Sequence, residues 1–144
     1  MYRRRGRGLE VLLVHPGGPY WRSKDDGAWT IPKGEIGADE APLAAACREF
    51  QEETGLVPTG PFRALQPVRQ KAGKVVQAWA FAGDCAPEDL TSNSFTMEWP
   101  PRSGKFASFP EVDRAGFFTP DEARRKMNPA QVVWLDELER ALEP

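Results

Sequence analysis

The sequence predicts one α+β domain, and three observations carry that reading. Apolar runs of strand character fall before, between and after three segments of helical periodicity, a layered pattern rather than that of a bundle or a β-sandwich. The chain has 144 residues, enough for one self-supporting core and too few for two. No linker, internal repeat or low-complexity stretch divides it, and 13 glycines with 14 prolines stay below the share typical of a disordered chain. The domain is therefore expected to span 1–144.

Each element has its own signal. Met1 to Arg5 leaves room for a short first strand, or for one whose start is clipped, with Arg3, Arg4 and Arg5 as charges that blunt a sheet edge. Leu9 to His15 (LEVLLVH) is a strand held between Gly6/Gly8 and the turn Pro16-Gly17-Gly18-Pro19. Tyr20 to Gly27 is a polar loop, and Ala28 to Ile31 is a short strand stopped by Pro32. A helix follows over 39–54. Asp39 can cap it, Pro42 falls in its first turn, Leu43, Ala46, Cys47 and Phe50 share a face, and Gly55 closes it. Phe62 to Gln70 and Lys74 to Ala82 read as a hairpin around Ala72-Gly73, with Val75/Val76, Trp79 and Phe81 alternating. Ser94 to Trp99 is a further strand, Pro100 to Pro110 a loop and Ala115 to Thr119 a late strand. Thr119, Pro120 and Glu122 form a capping-box pattern for a short helix. Pro129 to Leu142 is an amphipathic helix with Val132, Val133, Leu135 and Leu138 inward.

Composition excludes several functions. Nineteen Lys and Arg against 21 Asp and Glu give a net charge of −2, so no global basic excess exists to grip nucleic acid. One histidine (His15) and two cysteines (Cys47, Cys85) cannot build a Cys/His zinc site or a disulfide framework. The longest apolar stretch, Val11 to Val14, is far short of the roughly 20 residues of a membrane span, and the basic start lacks the apolar run of a signal peptide. A reduced, cytoplasmic protein with no membrane partner is expected.

The helix over 39–54 ends in Arg48-Glu49-Phe50-Gln51-Glu52-Glu53-Thr54-Gly55. Glu49 lies three residues before Glu52 and four before Glu53, so three carboxylates share one stripe. They repel one another and crowd the C-terminal turns, where the helix dipole also disfavours anions. Arg48, four residues before Glu52, offsets part of this. A divalent cation would reverse the sign of the arrangement, and oxygen-only donors select a hard ion, Mg²⁺ or Mn²⁺.

Upstream residues sharpen that reading. Gly34, Glu40, Arg48-Glu49-Phe50, Glu52-Glu53 and Gly55-Leu56 stand at the spacings of the signature of the Nudix hydrolases. Such a coincidence has a chance on the order of 10⁻⁹ per window. Trp29-Thr30-Ile31-Pro32-Lys33-Gly34-Glu35 resembles the entry to that box (34–56) in the diadenosine-polyphosphate hydrolase branch. Glu111-Val112-Asp113, with Phe117 to Ala123, resembles the late strand and short helix that close many Nudix domains.

The resemblance implies a Nudix-type α/β/α sandwich with a mixed central sheet and the box helix packed on it. It also implies Mg²⁺-dependent hydrolysis, by water attacking phosphorus, of a nucleoside diphosphate linked to another group. Diadenosine tetraphosphate leads as substrate. A nucleoside triphosphate pyrophosphohydrolase, RNA 5′-end processing and a non-catalytic nucleotide sensor stand as alternatives. Following the family, Glu49 and Glu53 are the principal metal ligands with the carbonyl of Gly34, and Glu52 is a third ligand or the general base. Arg48 orients Glu52 or Glu49, or simply pairs with Glu52 along the helix, and Glu40 favours the helix start. A loop-borne base is a further possibility, with Glu98, Glu111 and Glu88 as unranked candidates.

Lys33, next to the box, and Lys74 are candidate phosphate contacts. Aromatic residues for stacking a base include Tyr20, Trp21, Trp29, Trp79, Phe81 and Trp99. Tyr20 and Trp21, in a Gly/Pro-rich loop, are better placed than Trp29, and Trp79 shares the strand opened by Lys74. The partner is thus a small nucleotide, nucleic acid is not expected, and the chain is a monomer or homodimer.

Overall fold

In the computed structural model, residues 1–6, 8–33, 39–69 and 73–143 are described. The chain runs through β1 (Tyr2–Arg5), β2 (Gly8–Pro16), α1 (Pro42–Thr54), β3 (Arg63–Ala64), β4 (Val68–Arg69), β5 (Val75–Val76) and β6 (Trp79–Ala80). It continues through β7 (Ser94–Glu98), β8 (Phe106–Pro110), β9 (Val112–Phe118), α2 (Pro120–Lys126) and α3 (Val132–Ala141). The central sheet is ordered β1-β2-β9, and three two-stranded sheets pair β3 with β6, β4 with β5 and β7 with β8.

β2 organises the core because both of its faces are covered. Val11 and Leu13 point to a cluster with Trp29, Ala123, Met127, Leu135 and Leu138, which brings in α2 and α3. Leu12 points the other way, to Phe50 on α1 and to Phe81. The period-two alternation of a strand therefore dictates an α/β/α sandwich once helices lie on both sides. β9 follows the same logic, with Phe118 packed on the first cluster and Phe117 on the second. Every described ladder is antiparallel. Parallel contacts are single bridges, Tyr2 with Ala82 and Trp29 with Met127, so the mixing expected of the sheet is confined to its margins.

Several boundaries differ from those read in the sequence. α1 begins at Pro42 with Ala41 as its cap, and no side chain bonds there. Asp39 sits upstream in the left-handed region at φ 62°, so its side chain does not cap the helix. Gly55 closes α1 at φ 80°, as its backbone freedom predicts. The stretch expected as a loop from Pro100 to Pro110 contains β8, which pairs with β7 from Ser94↔Pro110 to Glu98↔Phe106. Its alternation is masked because Phe106, Ser108 and Pro110 are all exposed. Ala28 to Ile31 makes only single bridges. The hairpin over 62–82 breaks into two short ladders with Pro67, which has no N–H to donate, in the gap. It buries Ala78 and Ala80 and leaves Trp79 half-buried.

The last helix starts at Val132 after a 3₁₀ turn over Pro129–Gln131. Its face turns accordingly, so Val133 is 53% exposed while Trp134 is buried and donates from Nε1 to Gln66 O at 2.8 Å. The arginines of β1 are structural. Arg3 pairs with Glu10 and Asp84 at 2.8 and 2.7 Å and lies 3.6 Å over the Phe117 ring. No helix among the described residues is long and apolar enough to cross a membrane.

Candidate active site

Helix α1 is anchored in the core by Ala45, Phe50 and Thr54, and Phe50 packs on Leu12 and Phe81, which fixes where its acidic stripe stands. Its C-terminal end is tied to distant chain by a run of backbone hydrogen bonds. Thr91 N donates to Thr54 O at 3.1 Å and Asn93 N to Glu52 O at 2.8 Å. Glu111 N in turn donates to Asn93 O at 2.8 Å, and Gly17 N to Glu111 O at 2.9 Å. The Gly17 contact is close enough that a Cβ there would lie 2.0 Å from Pro110 O, so only glycine fits. By this route the short segment between β8 and β9, carrying Glu111, is held against the box helix.

Arg48 organises part of the cluster. Its Nε and Nη2 grip Glu40 at 2.8 and 3.0 Å, a bidentate pair across the helix start. Its Nη1 donates to Glu49 Oε1 at 2.9 Å and to Glu52 at 3.1 and 3.2 Å. Glu49 and Glu52 thus converge on one nitrogen. Hydrogen bonds to Glu40, Glu52 and Glu49 hold the guanidinium charged far above neutrality.

Glu53 turns elsewhere and accepts from Lys33 N at 2.7 Å. Burial pushes its carboxyl up to about 7, against the pull of that hydrogen bond and the Lys33 charge. Negative charge on Glu49 and Glu111 adds to the rise. Glu49 is raised as well, first by desolvation and then by repulsion from Glu52 and Glu111, although Arg48 opposes it. Glu49, Glu53 and Glu111 therefore feel one another's charge. Among the described residues, no three acidic side chains are drawn together closely enough to hold a metal ion as they stand. The donor chemistry fits a hard dication nonetheless: carboxylates only, two of them strained toward protonation by burial and by like charge.

Of the three loop-borne glutamates, Glu111 is the one whose charge adds to the rise of Glu49 and Glu53, and its backbone joins the end of α1 through Asn93. Glu98 accepts from Arg102 N at 2.6 Å at the tip of the β7–β8 hairpin, and Glu88 lies in the 3₁₀ turn Pro87–Asp89. Gly34 falls outside the described residues. The four candidate substrate contacts divide between two clefts. Lys33, Lys74 and Trp79 line a cavity of about 340 Å³ beside Ala46 and Cys47 of α1. Tyr20 belongs to a second cleft, lined also by Trp21, Phe95, Met97 and Glu111. Phe95 and Met97 were not marked by sequence, and the period-two pattern of β7 is the one signal that could have paired them.

His15 has no part in the cluster. It is fully buried, with Nδ1 2.7 Å from Asp113 Oδ1 and Nε2 2.6 Å from Lys24 O, and so clamps the 16–27 loop to β9.

Comparison with known proteins agrees with this architecture. A model of the NUDIX domain matches residues 1–138, and the chain belongs to that family. The RNA pyrophosphohydrolase of Stenotrophomonas maltophilia (strain K279a) is 46% identical over 50 residues, covering 33% of this chain and 24% of that protein. The RNA pyrophosphohydrolase of Xanthomonas campestris pv. campestris (strain B100) is 44% identical over the same length. The chain thus spans about a quarter of the curated relatives it matches. Among solved structures, the NUDIX domain of Shewanella oneidensis NrtR, complexed with ADP ribose, superposes with a TM-score of 0.65 at 18% identity, over 99% of this chain and 83% of that one. The Caenorhabditis elegans Ap4A hydrolase gives 0.60 at 18% identity over 99% and 92%. The MutT protein from Methanosarcina mazei Go1 gives 0.61 at 19% over 99% and 91%. These likenesses establish the fold.

Proposed function

We propose that this chain is a divalent-cation-dependent hydrolase of a nucleoside diphosphate linked to another group, with dinucleoside polyphosphates such as diadenosine tetraphosphate as its substrate class. The observation that carries the reading is the pair Glu49 and Glu53, partly desolvated and raised by each other's neighbourhood of negative charge, with the segment of Glu111 tied to the same helix end through Asn93, on a helix whose box signature is complete in sequence. Glu49, Glu53 and Glu111, with Glu52 when released from Arg48, would hold Mg²⁺ or Mn²⁺, alongside the Gly34 carbonyl. A dication held by these carboxylates would offset charge on phosphoryl oxygens and make a water more acidic.

The chain's own residues do the rest. Arg48 holds Glu49 and Glu52 in one orientation, so a small displacement of its guanidinium frees or engages either carboxylate. Glu52, more exposed than Glu49 beside it, is the one of these two Arg48-bound carboxylates better placed to accept a proton from an attacking water. Lys33 and Lys74, on the cavity beside α1, meet the phosphate chain, and Trp79 offers its half-buried ring to a base. Family members carrying RNA pyrophosphohydrolase names favour a second reading, removal of pyrophosphate from a 5′-triphosphate end.

Product analysis separates the two. With Mg²⁺ or Mn²⁺, diadenosine tetraphosphate should give ATP and AMP, and Glu53→Gln should lower that rate by about 100-fold or more while the protein stays folded. Faster release of pyrophosphate from 5′-triphosphate RNA than of AMP from the dinucleotide would establish the second reading instead.

A further inference from the structure

We propose that the cleft between the 16–21 loop and β7 seats a second nucleobase, the one beyond the phosphate chain from the base held near Trp79. The inference rests on the proposed role of the acidic cluster as the phosphate-cleaving centre. The cleft has a volume of about 500 Å³, within the range of small-molecule sites at about 300–1,000 Å³. Its rim carries two large aromatic rings left in water, Tyr20 at 58% and Trp21 at 41% exposure. In a small domain with its core elsewhere, adjoining exposed aromatics mark a contact surface.

The rings are held in place rather than dangling. Tyr20 lines the cleft and meets Trp99 edge-on, with centroids 5.4 Å apart at 86°. Lys24 Nζ lies 4.9 Å over the Trp21 ring. The loop bends back on itself, with Trp21 N and Arg22 N both donating to Gly18 O. Gly18 also lines the cleft, and a Cβ there would come within 2.9 Å of the Phe95 ring. His15 bonds the far end of the same loop through Lys24 O. A preformed aromatic seat of this kind suits a flat π-system, because stacking needs no reordering of the protein.

Placement identifies the occupant. Glu111 lines the cleft, its N donates to Asn93 O, and Asn93 N donates to Glu52 O at the end of α1, so the cleft lies beside the end of the helix that carries the acidic stripe. The cavity with Lys33, Lys74 and Trp79 is linked to the acidic stripe through Lys33, whose N donates to Glu53 Oε2 at 2.7 Å. A ligand with one base would fill one cleft. A ligand with two bases joined by a polyphosphate would fill both and draw its phosphates past the carboxylates. This makes Tyr20, Trp21, Phe95 and Met97 determinants of specificity for two-base over one-base substrates.

Two measurements test the proposal. First, kcat/KM is compared for diadenosine tetraphosphate and adenosine 5′-tetraphosphate, which lacks the second nucleoside. In the double variant Tyr20→Ala/Trp21→Ala, the ratio of the two should fall by about 10-fold from the wild-type value. An unchanged ratio overturns the inference. Second, the indole N–H signals of the five tryptophans are followed by NMR while AMP is titrated into the wild-type protein, with the Trp21 signal identified by Trp21→Phe. Saturable shifts at both Trp21 and Trp79 are expected. Movement of Trp79 without Trp21, or of neither, overturns the second seat. Failure to hydrolyse either substrate would instead overturn the proposed activity, and the titration would still decide the cleft.

Discussion

Glu53 is the side chain on which the charge balance of the site turns. Its carboxyl is raised from 4.5 to about 7, chiefly by burial. Raised above the unfolded value, it favours the folded state fully below about pH 4.5, and that contribution is lost as pH climbs through about 7. Chelator-treated protein should therefore show a falling Tm between pH 5 and pH 8. Calorimetry on Glu53→Gln should give a flatter curve over the same window, and an identical slope in both would refute the assignment. Restoring Mg²⁺ at pH 8 should raise the wild-type Tm, because a ligand bound only by the folded state stabilises it. The stripe of Glu49, Glu52 and Glu53 was visible in sequence from helical spacing alone. That Glu111, and not Glu98 or Glu88, faces it was not, because the choice depends on contacts more than fifty residues apart along the chain.

At the scale of elements, local signals read best where the chemistry is local. The Thr119 box is complete: Thr119 Oγ1 accepts from Glu122 N, and Glu122 Oε1 accepts from Thr119 N at 3.0 Å. Thr119→Ala should destabilise the protein by about 1 kcal/mol in urea unfolding. Activity should change little, since α2 lies on the sheet face opposite α1. Gly55 and the β2 strand were equally legible, one from backbone freedom and the other from a continuous apolar run. β8 was missed because a strand of a two-stranded hairpin standing off the core buries little, so no apolar period marks it. The cap of α1 differs because Asp39, though its chemistry suits a cap, lies two residues before the capping position at Ala41 with its backbone at φ 62°.

At the scale of the molecule, the site depends on three distant stretches meeting: the end of α1, the segment at Glu111 and the loop at Gly17. Gly17→Ala tests that junction. Its Cβ would lie 2.0 Å from a backbone carbonyl, which cannot swing aside as a side chain can. A loss of about 1–3 kcal/mol in stability is expected. Hydrolysis should fall further than stability explains, as Glu111 shifts from Glu49 and Glu53. Full activity with normal stability would show that the junction is not required.

Sequence alone determined the class of fold, the family and the acidic stripe, because each rests on residues whose spacing along one element sets their spacing in space. Tertiary structure decided which glutamate joins the stripe, how the lysines and aromatics divide between two clefts, and that Arg48 binds Glu40, Glu49 and Glu52 together. Those are long-range relations, set by how strands register and loops close over the core, and no local pattern encodes them.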